Sequence, residues 1–320
     1  MNEVSLDECV MTAESTPAGR VAVVIPCRNE EAAIARVIVD FRDALPGAQI
    51  VVLDNGSTDN TGQVARDNGA KVILERRPGK GLAMQRLFAD VEADCYLMVD
   101  GDDTYDSRSA REMVDMVLNK EADMVLGVRV IEGGGEAEFR RGHQLGNKML
   151  TWIFSSLFQL QLSDTLSGYR ALSRRFVKSF PLATEGFEVE AELNVHAALL
   201  GVPIAEVEGL YTERAVGTES KLNTYKDGIR ILRRNLRLFR DARPLMSFGI
   251  ISIPFWIIAA ILIGIPFYEY VQTGVVARFP SLIAGLASFT AAVQLLIGGI
   301  IMERVARNRY ETARIRYLEG

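Results

Sequence analysis

Two uncharged apolar segments late in the chain constrain its fold more than any other feature. Residues 245–268 read LMSFGIISIPFWIIAAILIGIPFY and residues 279–302 read FPSLIAGLASFTAAVQLLIGGIIM, each 24 residues long without Asp, Glu, Lys or Arg. A helix needs about 20 apolar residues to cross the hydrocarbon core of a bilayer. Helices of soluble proteins rarely stay apolar on all sides over that length, so two buried core helices are the less favoured alternative. The sequence therefore predicts two transmembrane helices, 245–268 and 279–302.

The charges around these segments predict their orientation. Arginine-rich segments precede the first span and follow the second, whereas residues 269–278 between them hold one acid and one base. Because positively charged loops stay on the cytoplasmic side, we expect both termini and the N-terminal domain in the cytoplasm, with residues 303–320 as a basic cytoplasmic tail. Residues 225–320 carry 13 Lys and Arg against 6 Asp and Glu, so the total of −5 leaves −12 for residues 1–224. This asymmetry indicates two different surroundings.

A basic amphipathic helix is predicted in residues 225–244, directly before the first span. Apolar side chains recur there at helical spacing and arginines surround them, which is typical of a helix in an anionic membrane surface. A solvated basic face is the alternative. The apolar positions are Ile229, Leu232, Leu236 and Phe239, and the arginines are Arg230, Arg233, Arg234, Arg237 and Arg240.

The N-terminus, the cysteines and the histidines exclude several other classes. Residues 1–19 start acidic and lack an apolar core, so we expect a poorly ordered tail and no signal peptide. The three cysteines are widely spaced without a CxxC pair, which indicates neither a disulfide framework nor a thiolate zinc site. The two histidines, His143 and His196, are too few for a His-rich metal site, and we expect structural roles for them.

Residues 20–224 alternate between short, β-branched apolar runs and helical stretches such as residues 30–45. This alternation is typical of a mainly parallel sheet covered by helices on both faces. The predicted fold class is therefore α/β, with one domain of the nucleotide-binding sort. The predicted strands lie in residues 21–27, 48–57, 70–77, 95–103 and 122–130.

Polar residues collect where four successive predicted strands end. Ligands of such sheets bind outside the carboxyl ends of the strands. Turn formation could explain each position alone, but it explains four successive strand ends less well. The residues are Arg28, Asn29 and Glu30 after the first strand, Asp54, Asn55, Ser57 and Asp59 after the second, Lys80 after the third, and Asp100, Asp102, Asp103 and Asp106 after the fourth.

The closely spaced acids of residues 96–106, YLMVDGDDTYD, need a positive partner because neighbouring carboxylates repel each other. The sequence holds neither a dinucleotide glycine motif nor a Walker loop, so another group must neutralise phosphate if a nucleotide binds. Mg²⁺ or Mn²⁺, held by one or two carboxylates and a diphosphate, meets both needs.

The segments VVIPCRNEE, VVLDNGSTDNT, GKGLAM and LMVDGDD, in that order, resemble family 2 of the glycosyltransferases. The later segments VLGVRV and SDTLSGYRALSRR, with the basic helix and two spans, are similar to the polyprenyl-phosphate glycosyltransferases. The resemblance covers about residues 20–244. It implies a GT-A type fold and a metal-dependent, inverting transfer of a hexosyl group from UDP- or GDP-hexose to polyprenyl phosphate at the cytoplasmic membrane face. It implies no nucleic-acid partner and leaves a homo-oligomer open.

The resemblance also implies roles for individual residues. Asp102 would be the principal ligand of Mg²⁺ or Mn²⁺, with Asp100 beside it, and Thr104 stands where related mannose synthases often have Gln. The nucleotide sugar would contact Pro26, Asn29, Glu30, Asp54, Asn55, Ser57, Lys80 and Asp100; the acceptor phosphate would contact Arg129, Arg140, Arg141, Ser167 and Lys221; and the catalytic residues would be Asp102, Arg129, Asp164 and Arg170.

Three further observations leave alternatives open. Glu188, Glu190 and Glu192 suit a helix start through the helix dipole, which is a structural alternative to a functional role. A processive polysaccharide synthase would resemble a chain with more spans and a QxxRW motif, and the sequence has neither. An inactive sugar-nucleotide-binding membrane protein would be favoured by loss of the DxD acids, which are present.

Overall fold

A computed structural model describes residues 19–131, 162–181, 189–211, 233 and 236–320 of the chain. Within these ranges the chain forms a seven-stranded sheet with helices on both faces, followed by two long helices. The strands are β1 (Val21–Cys27), β2 (Gln49–Asp54), β3 (Lys71–Leu74), β4 (Cys95–Met98), β5 (Met124–Ile131), β6 (Arg170–Ser173) and β7 (Ile204–Tyr211).

The helices of the domain alternate with these strands, as the sequence predicts, and two longer helices follow them. A short 3-10 turn precedes the fourth helix. The helices are α1 (Ile34–Ala44), α2 (Thr61–Asp67), α3 (Lys80–Asp90), α4 (Ala110–Leu118), α5 (Arg174–Ser179), α6 (Val189–Leu200), α7 (Pro244–Thr273) and α8 (Phe279–Glu319).

The strand order is β3-β2-β1-β4-β6-β5-β7. Every pairing is parallel except those of β6, which is antiparallel to both β4 and β5. The predicted α/β class with a mainly parallel sheet is confirmed. The sequence pattern does not predict β6 and β7, because β6 is four residues long and β7 interrupts its apolar residues with glutamates.

Successive residues of the central strands supply two separate cores. Val23 and Ile25 of β1 pack with α1 and α4 on one face of the sheet. Ala22 and Val24 pack on the opposite face, with α3, α5 and α6. This arrangement follows from the period of two in a strand and explains why the central strands are apolar throughout.

Helices α7 and α8 contain the two predicted apolar segments. They are 30 and 41 residues long, and both are long and apolar enough to cross a membrane. Both extend beyond the uncharged segments: α7 ends at Thr273 and is followed by Gly274, whose φ of 71° is left-handed, and α8 continues through residues 303–319. The predicted basic tail is therefore the end of α8. The two helices contact each other closely where Gly285 faces Ile263 and Gly299 faces Phe248.

The predicted amphipathic helix lies mostly outside the described residues, as do residues 1–18 of the predicted N-terminal tail. The described residues 236–242 are helical. Phe239, from the apolar stripe, is buried against Ala191 and Val195 of α6, whereas Leu236 is exposed.

Candidate active site

The carboxyl ends of β1, β2, β4, β5 and β7 lie at one edge of the sheet, and we call this edge the catalytic edge. Two groups of polar side chains meet there. The loops after β1, β2 and β4 and the start of α3 hold the residues predicted to bind the nucleotide sugar, and we call this group the donor side. The end of β5 and the turn before β6 hold residues predicted to contact the acceptor phosphate, and we call this group the acceptor side.

Loops after β1 and β2 are joined by hydrogen bonds on the donor side. The Asn29 N–H donates to Ser57 Oγ over 3.1 Å, and Asn29 Oδ1 accepts from the Thr58 N–H over 2.8 Å. Asn29 has a left-handed φ of 58°, which asparagine tolerates better than most residues. The Glu30 N–H donates to Thr61 Oγ1. The structure thus brings the predicted donor residues Asn29, Glu30 and Ser57 together.

Asn55 is buried and organises the segment that leads to Lys80. Its Nδ2 donates to the carbonyl of Arg77 over 2.7 Å and to that of Glu75 over 3.3 Å. Its Oδ1 accepts from the Gly79 N–H over 2.7 Å. Asn55 thereby fixes the backbone of the segment from Glu75 to Gly79, which leads directly to Lys80.

Asp54 is half-buried at the end of β2. Its Oδ1 accepts from the Ser57 N–H over 2.8 Å. A Cβ atom at Gly62 would lie 2.7 Å from Asp54 Oδ2, so α2 passes close to this carboxylate. Pro26, another predicted donor residue, is half-buried near the end of β1.

Lys80 links two carboxylates from different parts of the chain. Its Nζ lies 2.5 Å from Asp100 Oδ1 and 2.6 Å from Glu190 Oε1 of α6. Burial alone would lower the pKa of Lys80, but the two carboxylates raise it above its usual value, so the ammonium stays charged. Glu190 therefore has a charge partner at the site beyond the helix-dipole role, a contact that the sequence pattern could not reveal.

The DxD acids differ in their surroundings. Asp102 is 8% exposed, and its Oδ1 accepts from the Thr104 hydroxyl over 2.7 Å. Asp103 has a left-handed φ of 59° and pairs with Arg36 over 2.8 Å. Thr104, at the position where related enzymes often have Gln, thus supports the carboxylate of Asp102.

The donor atoms of this loop fit a hard divalent cation. Asp100 and Asp102 offer carboxylate oxygens, the ligands that Mg²⁺ and Mn²⁺ favour. Among the described residues, no group of three or more His, Cys, Asp or Glu side chains could hold a metal ion by itself. That agrees with a cation that takes its other ligands from water and substrate phosphates.

Arg129 and Asp164 form a bidentate ion pair on the acceptor side. Arg129 Nε and Nη2 lie 2.6 Å and 2.8 Å from the two oxygens of Asp164, and the guanidinium lies 5.5 Å from the ring centroid of Tyr211. Burial would raise the pKa of Asp164, but hydrogen bonds from Arg129 lower it below its usual value. The side chain of Arg129 is 27% exposed, so it is partly open to solvent.

Arg170 lies inside the domain, where a catalytic contact with substrate was expected. It is 0% exposed, and its guanidinium donates to the carbonyls of Ser167 and Thr165 and to Asn194 Oδ1. Burial lowers the pKa of Arg170 to about 10. These contacts are those of a residue that holds the turn before β6 onto α6.

Ser167, which was expected to bind the acceptor phosphate, is also fully buried. Its hydroxyl donates to the carbonyl of Gly127 over 2.6 Å. It therefore joins the turn to β5, below the exposed surface of the acceptor side.

Gly168 and Tyr105 bring the two sides close together. A Cβ atom at Gly168 would lie 2.5 Å from Asp100 Oδ2, so a larger residue there would have to displace the Asp100 carboxylate. The Gly168 N–H donates to the Tyr105 hydroxyl over 3.0 Å. The sequence did not lead us to predict Tyr105 or Asn194 as site residues. The position of Tyr105 within the acidic segment is a signal for that residue, whereas Asn194 has none.

Several predicted residues lie outside the described part of the chain: Arg140, Arg141, His143, Glu188 and Lys221. Their predicted roles remain predictions. His196 is described and buried between Phe176 and Phe180, with its Nε2 3.0 Å from Ser179 Oγ. Burial lowers the pKa of His196 to about 4, in keeping with a neutral structural histidine.

The fold and the polar edge are those of a nucleotide-sugar transferase domain of GT-A type, and comparisons with known proteins agree. The model of Glycosyl transferase family 2 matches residues 22–179. Glycosyltransferase AglJ of Haloferax volcanii is 32% identical over 305 residues, which cover 93% of this chain and 98% of that protein. The chain therefore belongs to glycosyltransferase family 2.

A second relative and a solved structure add detail. The dolichyl-phosphate hexose transferase of Haloferax volcanii is 33% identical over 210 residues, covering 66% of this chain and 90% of that protein. Glucosyl-3-phosphoglycerate synthase from Mycobacterium tuberculosis, solved with Mn²⁺ and UDP-glucose, aligns with a TM-score of 0.53 at 26% identity. The alignment covers 68% of this chain and 79% of that one.

Proposed function

We propose that this enzyme transfers a hexosyl group from UDP- or GDP-hexose to polyprenyl phosphate at the cytoplasmic face of a membrane, with inversion. One observation carries the proposal: a glycosyltransferase catalytic edge lies in the same chain as two helices that are apolar enough to cross a bilayer. A nucleotide sugar is water-soluble and needs no such helices, whereas a lipid acceptor resides in the bilayer.

Relatives support the classes of donor and acceptor. One is named for hexosyl transfer to dolichyl phosphate, and one structural neighbour binds UDP-glucose. Two apolar helices among the described residues fit an anchored single-transfer enzyme better than a processive synthase.

The donor side is arranged to hold a nucleoside diphosphate. Asp54 at the end of β2 presents a carboxylate for the base or ribose, and Lys80 brings a positive charge beside Asp100. We propose that Asp100 and Asp102 hold Mg²⁺ or Mn²⁺, because the neighbour with bound UDP-glucose also contains Mn²⁺. Such a cation, when bound, would stabilise the charge that develops on the leaving diphosphate.

The acceptor phosphate needs orientation more than activation. Its oxygen is already anionic, so no strong general base has to remove a proton. In the proposed reaction this oxygen forms a bond to the anomeric carbon while the bond to the diphosphate breaks. We assign Arg129 to orient the phosphate through its planar N–H groups, and Asp164 to fix the guanidinium that does so.

A product analysis tests this function. Purified full-length protein in lipid vesicles is given polyprenyl phosphate, MnCl₂ or MgCl₂, and one radiolabelled UDP- or GDP-hexose at a time. The proposal expects label in a lipid product that mild acid releases as free hexose. Label only in free hexose, in a growing polysaccharide, or in no product with any donor would contradict it.

A further inference from the structure

The end of α8 leaves the apolar segment and reaches the catalytic domain. Residues 303–319 would extend about 26 Å at the usual rise of 1.5 Å per residue. Tyr310, Ala313 and Tyr317 are spaced by three and four residues, so they lie on one face of the helix. Tyr310 and Tyr317 pack against the core that α3, α5 and α6 cover, and Ala313 is 5% exposed.

The last turn of α8 is attached to a buried carboxylate. The Tyr317 hydroxyl donates to Asp123 Oδ2 over 2.6 Å, and the Arg175 guanidinium lies 4.8 Å from the ring centroid of Tyr317. Arg175 and the Ser173 hydroxyl also donate to Asp123, which is 1% exposed. We call these four residues, Asp123, Ser173, Arg175 and Tyr317, the Asp123 clasp.

The electrostatics of the Asp123 clasp favour its closed form. Burial would raise the pKa of Asp123, but hydrogen bonds from Arg175, Ser173 and Tyr317 lower it. Burial and the bond to Asp123 raise the pKa of Tyr317 to about 12, so the phenol keeps its donor proton at neutral pH. The clasp is therefore a charge-assisted contact under cellular conditions.

The clasp lies at the opposite edge of the sheet from the active site. Asp123 directly precedes β5, and Arg129 lies six residues further along the same strand, about 20 Å away at the usual rise of a strand. Helix α8 thus runs from the apolar segment to the amino ends of the strands.

A second attachment lies close to the apolar segments. Phe239 is buried against α6 only five residues before α7 begins at Pro244. The Leu245 N–H donates to Glu303 Oε2 over 3.1 Å, which joins the start of α7 to α8 at the same level. Glu303 and Tyr317 are about 21 Å apart along the helix. The domain is therefore attached at two separate places: at Phe239, close to the apolar segments, and at the Asp123 clasp, near the end of α8.

We propose that the Asp123 clasp sets the orientation of the catalytic edge relative to the membrane, which makes Tyr317 and Asp123 positioning residues for transfer to a lipid acceptor. The inference rests on the proposed function. A domain attached at one level can pivot about that attachment, whereas attachment at two levels fixes its tilt. Fixed orientation raises the effective concentration of a membrane-bound reactant at the site. A water-soluble acceptor reaches the site at any tilt.

Tyr317→Ala tests the inference without removing the partners of Asp123. Ser173 and Arg175 still donate to that carboxylate, so we expect the domain to stay folded. Leu318→Ala is the matched control, because Leu318 is the next residue of the same turn and is 72% exposed. Each full-length protein in vesicles is assayed with polyprenyl phosphate in the bilayer and with geranyl phosphate in solution.

The proposal expects Tyr317→Ala to lower transfer to the bilayer acceptor about tenfold, less than the hundredfold that misplacement within an active site can cause. Transfer to geranyl phosphate and all rates of Leu318→Ala should equal those of the wild type. Equal wild-type and Tyr317→Ala rates with the bilayer acceptor would overturn the inference. Equal losses with both acceptors, together with a lower melting temperature, would also overturn it.

A second measurement needs no acceptor. Spin labels at Glu121→Cys, beside the clasp, and at Val276→Cys, between α7 and α8, report the spread of distances in a Cys9→Ser background. A narrow distribution that broadens in Tyr317→Ala supports the clasp, and an unchanged distribution contradicts it. If the wild type transfers hexose to neither acceptor, the proposed function fails, while this measurement still decides on the clasp.

Discussion

The donor and acceptor sides of the catalytic edge are built in different ways. On the donor side, short loops after successive parallel strands hold one another through their own polar side chains, as Asn29 and Asn55 illustrate. On the acceptor side, an antiparallel strand enters between β4 and β5, and a fully buried arginine holds the turn before it. The donor side is thus built mainly from contacts between loops that follow neighbouring strands, with the pair of Lys80 and Glu190 as an exception, whereas the acceptor side depends on buried contacts with β5 and α6.

This difference predicts which substitutions act on chemistry and which act on folding. Donor-side residues whose partners lie in neighbouring loops, such as Asn29, can change without disturbing the core. Substitution of the buried acceptor-side residues disturbs the core itself, because Arg170 bonds to α6 and Ser167 bonds to β5. The partly exposed side chain of Arg129 is the acceptor-side feature expected to act on substrate directly.

The largest expected effect is that of Asp102→Asn on the donor side. Loss of the carboxylate should remove metal-dependent transfer, lowering kcat/KM by more than about a hundredfold, since metal stabilisation of developing charge is worth several kcal/mol. The melting temperature should not change. Transfer is measured while Mg²⁺ or Mn²⁺ is titrated.

Asp103→Asn is the matched control for this loop. Asparagine tolerates the left-handed backbone at that position, and the substitution removes the ion pair with the exposed Arg36. Near-normal metal-dependent turnover in Asp102→Asn, or equal losses in the two variants, would refute the metal assignment.

Arg170→Met should act mainly on stability. Removing the guanidinium takes a buried donor from the carbonyl of Ser167 and from Asn194 Oδ1, at a cost of about 3 kcal/mol in the free energy of unfolding. Arg174→Met, four residues along with a side chain 44% exposed, should change it little. Thermal melts compare them. A normal melt combined with abolished transfer would show that Arg170 contacts substrate after all.

The sequence predicted the donor side better than the acceptor side for a physical reason. Parallel strands are apolar runs, and the polar residues directly after them, such as Asp54, must meet at one edge. Strand β6 gives no comparable signal because it has four residues and starts with Arg170. The pairing of Lys80 with Glu190 joins residues 110 positions apart, and no local pattern specifies such a contact.

The C-terminal helix teaches the same lesson. Length and hydropathy sufficed to predict the apolar segments of α7 and α8. They could not predict that residues 303–319 continue the helix onto the domain, because the contacts of Tyr317 depend on where β5 and α5 place Asp123 and Arg175. From the sequence alone, Tyr310, Ala313 and Tyr317 form only a short, weakly apolar stripe on one face of the helix.

The smallest expected effect is that of Asn55→Asp. The acceptor atom for the Gly79 N–H is kept, but an oxygen replaces the Nδ2 that donates to the carbonyls of Glu75 and Arg77. We expect KM for the nucleotide sugar to rise about tenfold, corresponding to about 1.4 kcal/mol, with KM for the lipid acceptor unchanged. Asn68→Asp, at the end of α2 away from the edge, is the control. Equal increases in both KM values would contradict a separate donor side.

The central claim is that Arg129 serves the acceptor phosphate separately from donor binding. Arg129→Ala alone would leave Asp164 buried without its partner, so the cleaner change is Arg129→Gln together with Asp164→Asn, which removes both charges at once. The control is Arg174→Gln with Glu92→Gln, an exposed pair at 3.1 Å.

The deciding measurement pairs calorimetric titration of the nucleotide sugar and Mn²⁺ with the rate of transfer to polyprenyl phosphate in the same preparations. Loss of a charge-assisted phosphate contact is worth about 1.5–3 kcal/mol, so transfer should fall about tenfold to hundredfold while donor affinity and melting temperature stay at wild-type values. Wild-type transfer in the Arg129 and Asp164 double variant, or donor affinity that falls together with the melting temperature, would contradict the account.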